Sequence, residues 1–399
     1  MDIEESAQLK DQLRDIVLNT KVPLVLKNYS VDWECFEGSL LEWCTSFDEY
    51  NAKKTAVFES MEIMDGATPQ WERKRKKTEM TMQQFLKNYS GNNAMHWSAF
   101  QYKRAFDLPD QCLKGIDFES FGFSKHDRDF SLWLGSKGAN TPCHYDTYGV
   151  NIVVQVYGSK SWLLFPPETP FETTRIPYEE SSVYCLENFY APQPDKLTYY
   201  EKFQYYAHHC VLNAGDVLIV PRHWWHYVEA VETSLSVNYW VPLKEDINLA
   251  LDELLVKHVV ESFVKGEDER VKTYLLNPNQ LDELGHTPTD LFNLFKHALD
   301  RSADINCTLW HEDYLSKADT AKLISEISLN IRALNVMSKE DYMLLLSNNS
   351  KRHVVVESKE DNAINPTLEV LINSICAPDN IARVKLEFYR RIHMQKSVN

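Results

Sequence analysis

The spacing of hydrophobic positions along the chain changes twice. Over residues 4–20 apolar residues recur at helical spacing, and the short run Pro23–Lys27 that follows predicts a strand. Trp33 to Ala52 again predicts a helix, with Leu40, Leu41, Trp43, Cys44 and Phe47 on its apolar side. Between about 130 and 242 the period shortens. Phe130–Leu134, Asn151–Tyr157, Lys160–Phe165, Val217–Val220 and Ser234–Val241 are β-rich segments separated by Gly, Pro and Asn, which predicts an antiparallel barrel or jelly roll. Among them, Pro166–His208 holds six prolines and many tyrosines and is expected to run as an ordered excursion over the barrel mouth. After Val241 strand patterning stops. Ile247, Leu251, Leu254, Leu255, Val259 and Phe263 share a helical face, and further helices are expected over 288–300, 319–335, 366–376 and 379–393. The chain is therefore read as N-terminal helices and strands over 1–129, a β core over 130–245 and a helical region over 246–399.

Composition adds bounds to that picture. With 399 residues, 44% of them hydrophobic, and 10 Trp, 20 Tyr and 18 Phe, the chain can bury a large core. A net charge of -16 repels phosphate backbones and makes nucleic acid a poor partner, while it attracts basic peptides; acidity also serves plain solubility. The basic run Arg73–Lys77 stands against this trend as an anion-binding or nuclear-import patch, or as a solvated loop. Eight cysteines without a C-x-x-C pair fit reduced thiols. Residues 1–10 carry no apolar leader, and the longest apolar runs are too short to cross a bilayer. The expectation is a cytoplasmic protein, with the nucleus as alternative and no membrane partner. The oligomeric state leaves no signal.

Candidate chemistry centres on His144-Tyr145-Asp146. On a strand, residues two apart point to one side, so His144 and Asp146 face one cavity. His226 lies eighty positions after Asp146, where the strand Val217–Pro221 and its turn end. Two imidazoles and a carboxylate on adjacent strands can occupy one face of an octahedral iron(II), leaving room for a bidentate 2-oxo acid and dioxygen. Cysteine-rich structural zinc is excluded by spacing. An H-x-D triplet alone is common by chance; its weight lies in the conjunction with a second histidine of the same sheet. His208-His209-Cys210 is a decoy, since adjacent residues diverge on a strand, and His223 is assigned to the surface. Lys160 shares a face with Trp162 and Leu164, so that face is enclosed, and a buried lysine calls for an anion. Ser234, Ser236 and Asn238 alternate with Leu235, Val237 and Tyr239, giving a polar face that either meets solvent or lines a cavity.

Thr141-Pro142-Cys143-His144-Tyr145-Asp146, Asn151, Gly158-Ser159-Lys160-Ser161-Trp162, Leu164-Phe165-Pro166-Pro167 and the stretch Gly215–His226 together resemble the JmjC oxygenase family, and within it the asparaginyl-hydroxylase-like group. The resemblance implies a double-stranded β-helix (cupin, jelly roll) with N-terminal helices and a helical C-terminal region. It implies iron(II) on His144, Asp146 and His226, and 2-oxoglutarate as co-substrate. It assigns Lys160, helped by Thr141, to the distal carboxylate, and sets Asn151 and Asn238 near the iron and the 2-oxo group. The tyrosine that the group directs at that carboxylate has no fixed counterpart here; Trp97 and Tyr102 are the candidates. Arg175–Val183 narrows the resemblance to a branch whose implied partner is a small heat-shock protein. The activity implied is hydroxylation of a protein side chain, since demethylases commonly carry Glu where Asp146 stands. The rival classes are a non-catalytic chaperone-associated adaptor and an RNA-modifying hydroxylase.

Overall fold

The computed structural model describes residues 3–29, 31–62, 75–89, 91, 96–123, 129–178, 181–276, 287–302, 310, 317–353 and 365–396. The N-terminal part contributes α1 (Ile3–Asn19), β1 (Leu24–Leu26), α2 (Leu40–Tyr50), β2 (Ala56–Glu62), β3 (Lys76–Met80), α3 (Met82–Tyr89) and β4 (His96–Arg104). The centre contributes β5 (Phe130–Gly135), β6 (Asn140–Asp146), β7 (Val150–Tyr157), β8 (Ser159–Phe165), β9 (Thr173–Thr174), β10 (Ser182–Cys185) and α4 (Leu197–Tyr200). It continues with β11 (His208–Asn213), β12 (Val217–Val220), β13 (Trp225–Ala230) and β14 (Ser234–Val241). The remainder is α5 (Asp246–Val264), α6 (Glu269–Leu276), α7 (Pro288–Ser302), α8 (Lys317–Glu326), β15 (Ile331–Ala333), α9 (Lys339–Ser350), α10 (Pro366–Ile375) and α11 (Pro378–Lys396).

A nine-stranded sheet in the order β15-β1-β12-β7-β14-β5-β4-β2-β3 faces a six-stranded sheet in the order β11-β8-β13-β6-β10-β9. Strands β5 to β8, and again β11 to β14, pass alternately from one sheet to the other. This is the double-stranded β-helix of the expected cupin class. The turns after Asp146 and Tyr157 each carry the chain across the sandwich. Gly158 makes the second crossing with φ +63, and a Cβ there would collide with the Thr233 carbonyl, so only glycine suits.

Each sheet has an apolar outer face that is covered, while the inner faces mix apolar residues with the polar ones that line the cavity. The larger sheet packs its outer face on α1–α3, with Phe58, Phe100, Leu132, Ile152 and Tyr239 in one cluster with Leu13, Trp43 and Phe85. Inside the sandwich, Val153, Trp162, Leu164, Leu218 and Val220 form a smaller cluster. The excursion after Pro166 runs beside the cavity at Tyr184, the cross-strand partner of His144, with the two rings 5.4 Å apart. It supplies β9 and β10 to the smaller sheet and lays Phe171, Phe189, Tyr200 and Phe203 on that sheet's outer face, against Cys143, Leu163, Phe165 and Trp225.

Several local expectations need correction. The helix expected from Trp33 begins at Leu40, where Ser39 and Glu42 form a reciprocal capping box, and Leu41 is exposed rather than packed. The described part of the basic run is not a solvated loop: Lys76 and Lys77 open β3, while Arg75 is buried, paired with Glu59 and donating to the Asn140 carbonyl at 2.7 Å. Arg73 and Lys74 lie outside the described residues. The buried face of α5 runs through Val256, Val260 and Val264, one position beyond the expected Leu255, Val259 and Phe263, because α6, α10 and α11 pack around it. Strands do not stop at Val241 either. The helix expected over 319–335 ends at Glu326, and β15 then pairs with β1 at the sheet edge.

Candidate metal centre

The register of the smaller sheet brings the histidines together. His226 on β13 is the direct cross-strand partner of His144 on β6, and their ring centroids lie 4.2 Å apart. His226 is thus the second residue of a new strand, not the close of the strand-turn before it. A bulge in β6 adds one residue between the pairs His226–His144 and Val228–Thr141, so Thr141 and His144 both face inward although three apart. Asp146 follows two positions after His144 on the same side.

The donor atoms of His144, Asp146 and His226 lie within 4.8 Å of one another, and among the described residues they form the one such group. Each imidazole is oriented from behind. The Nδ1–H of His144 donates to the Pro142 carbonyl at 2.8 Å, and that of His226 to the Trp224 carbonyl at 2.9 Å. Both rings then present Nε2 to Asp146, at 3.6 and 3.9 Å. Burial, and next the facing His144, pull the His226 imidazole from its ordinary 6.5 down to about 4. Burial alone would raise the Asp146 carboxyl, but His226, His144 and Trp240 outweigh it and hold it at about 2. Two imidazoles, one of them held neutral, and one ionised carboxylate are the donor chemistry that a divalent metal with open positions requires.

Asp146 is also fixed by hydrogen bonds. Its Oδ2 accepts from Asn151 Nδ2 at 3.0 Å and from Trp240 Nε1 at 2.9 Å, which turns Oδ1 toward His144. Asn151 Oδ1 accepts from Asn238 Nδ2 at 2.9 Å, and Asn238 Oδ1 from Trp133 Nε1 at 2.7 Å. The structure therefore places Asn151 and Asn238 behind the carboxylate, in one chain of bonds.

The seven residues assigned to the metal and the co-substrate (Thr141, His144, Asp146, Asn151, Lys160, His226 and Asn238) line one cavity. Lys160 lies at its other end, buried. It donates to Ser236 Oγ at 2.7 Å and to the Trp133 carbonyl at 3.0 Å, and no carboxylate faces it among the described residues. Burial alone draws its ammonium from 10.5 down to about 7.

Neither aromatic proposed for the distal carboxylate reaches the cavity. Trp97 is buried under the Arg75 guanidinium, and Tyr102 packs edge-on against Trp133 and Trp240. From that strand Gln101 lines the cavity instead, alongside Trp133, Ser236 and Trp240. The decoys separate as expected, since His209 turns away to bond Ser161 at 2.9 Å. His223 is not a plain surface residue: it is half-buried, 5.2 Å from the Tyr145 ring, and bonded to the Thr147 carbonyl.

A family model described as a cupin-like domain matches residues 10–243. The chain belongs to this JmjC-type cupin family. Among cupin-like relatives, HSPB1-associated protein 1 of Bos taurus is 33% identical over 295 residues, covering 69% of this chain and 60% of its own length. A homologue of that protein in Danio rerio is 33% identical over 290 residues, covering 68% and 63%. Lysine-specific demethylase 8 of Xenopus tropicalis is 25% identical over 242 residues, covering 58% and 50%. The chain thus spans about three fifths of the length of the HSPB1-associated relatives. The JmjC cupin family includes 2-oxoglutarate oxygenases, and a His-Asp-His set of the kind they use for iron stands in this cavity.

Proposed function

We propose that the chain is an iron(II)- and 2-oxoglutarate-dependent oxygenase that hydroxylates a protein side chain. The observation that carries this is the pairing, in one cavity, of the His144–Asp146–His226 donor set with a buried lysine that lacks an anion. The chemistry supplied by iron(II) with 2-oxoglutarate in such a site is insertion of one atom of dioxygen into a substrate C–H bond, the 2-oxo acid losing carbon dioxide to become succinate. The protein's own tasks are positional. His144, Asp146 and His226 hold the metal, and Lys160 with Thr141 binds the distal carboxylate. Val153, Trp162 and Val228 line the cavity and limit water in it, which strengthens every charge interaction inside. The absence of carboxylates beside Lys160 among the described residues supports an anionic ligand there, because an isolated buried ammonium is strongly disfavoured.

The substrate reading rests on Asp146 standing where a demethylase commonly carries Glu, and on an acidic surface that favours basic peptides. The region 130–245 is read as the catalytic core, 1–129 as its completion and 246–399 as a helical appendage. Free thiols at all seven described cysteines support a reducing compartment, the cytoplasm with the nucleus as alternative. Mass spectrometry of a peptide panel tests the function. A 16-dalton gain on unmodified peptides is expected; formaldehyde release from methyl-lysine peptides without any such gain reassigns the chain to demethylation.

A second reading has one specific support, the name that the HSPB1-associated relatives bear. On that reading the chain is an adaptor that binds a small heat-shock protein. Metal and 2-oxoglutarate binding without turnover on any peptide, together with capture of a small heat-shock protein, is the outcome that favours it.

A further inference from the structure

Trp133 is bonded to both ends of the cavity. It stands on β5 directly across from Ser236 on β14. Its backbone carbonyl accepts from Lys160 Nζ, for which Ser236 supplies the other acceptor. Its indole N–H donates to Asn238 Oδ1, from which the bonds continue through Asn151 to Asp146. An asparagine amide offers a donor and an acceptor of almost equal size, so a chain of two amides can run in either sense. Here both ends select one sense. An indole N–H can only donate, and an ionised carboxylate can only accept. Turning either amide over would set Oδ1 of Asn151 against the carboxylate, or the Asn238 amide N–H against the indole N–H.

We propose that Trp133 is a positioning residue, whose indole N–H sets the sense of the Asn238–Asn151 amide chain and thereby holds Asp146 in its metal-binding orientation while its carbonyl holds Lys160. This role rests on the metal reading above. It separates two properties that a cavity wall would not. Losing the indole N–H acts on metal affinity through Asn238, whereas the carbonyl, and with it Lys160, is untouched by any change of side chain.

The test is manganese(II) titration, by calorimetry or electron paramagnetic resonance, of the full chain and of Trp133→Phe, Asn238→Ala and the double variant. Outer partners of metal ligands typically matter by 10- to 100-fold, so each single change is expected to weaken manganese(II) binding by about tenfold. Because both act on one chain of bonds, the double variant should lose little more than the larger single loss. Asn238→Asp is a second probe. It accepts from the indole and also draws the Asn151 amide N–H away from Asp146, so it too should weaken the metal. Unchanged manganese(II) affinity in Trp133→Phe, or losses in the double variant that multiply, would overturn the role while leaving the metal site standing. Absence of manganese(II) binding by the unaltered chain overturns the metal reading, and this role with it.

Discussion

Arg175 and Glu253 face each other as an ion pair with only 6% and 3% of their side chains exposed. The arginine precedes the turn into β10, and the glutamate lies in the first half of α5, so the pair ties the excursion to the helical region. Removing one partner strands the other as a buried charge. Glu253→Ala is expected to lower stability by about 3–5 kcal/mol, whereas exchanging both residues for apolar ones of similar volume should cost far less. Urea denaturation of the single and double variants checks this. A single variant within 1 kcal/mol of the unaltered protein (roughly the worth of an exposed pair) would show that water reaches the pair.

His144→Ala and His226→Ala each leave two of three metal donors. Both are expected to abolish metal-dependent binding of 2-oxoglutarate, with iron(II) or manganese(II) as the ion. Calorimetry on each variant is the measurement, and unchanged co-substrate binding in both would remove the triad from its assigned role.

Lys160→Ala leaves the three metal donors in place. Metal affinity should survive, while 2-oxoglutarate affinity falls by roughly ten- to a hundredfold, the worth of a charge-assisted pair at about 1.5–3 kcal/mol. Matching co-substrate titrations for the two proteins would mean that the lysine holds no anion.

The Lys160 ammonium should also give two opposite pH trends. Its folded value, about 7, lies below its ordinary 10.5, so between those limits the unfolded chain holds the extra proton. The stability of the ligand-free protein should accordingly rise with pH from about 7 toward 10.5, the cost of burying the charge being fully present below 7. Affinity for the dianionic co-substrate should move the other way and weaken above pH 7, with proton uptake on binding. Calorimetry in two buffers of different ionisation enthalpy reads that proton directly, and Lys160→Met should flatten both trends. Parallel trends in stability and affinity would be inconsistent with this assignment.

The convergence of His144 and Asp146 was legible because period-two alternation is a strong local signal, and both follow it. Lys160 was legible through its enclosed face. What was not legible depends on partners distant in sequence. Trp133 and Trp240 carry no sequence signal of their own, since a tryptophan on a strand looks the same whether its indole N–H meets a carboxylate, an amide or a neighbouring backbone. Gln101 reaches the cavity through the irregular register of β4 after Phe100, which no residue pattern announces. β15 is three residues long and exists because β1 offers it an edge. α9 was missed because residues 342–346 are apolar without interruption and show no helical period, yet Tyr342 and Leu346 close the second core cluster.

The alternation of strands between the sheets also has a consequence for synthesis. A growing chain that has delivered β6 holds two of the three metal donors, and the third arrives on β13, eighty residues after Asp146. Asn238 and Trp240, which steady the carboxylate, come later still, on β14. Contacts this distant form late, because the loops that close them carry an entropic cost before any reward. A nascent or truncated chain ending before residue 226 cannot complete the triad, so on the proposed reading metal capture would report that synthesis has passed β13.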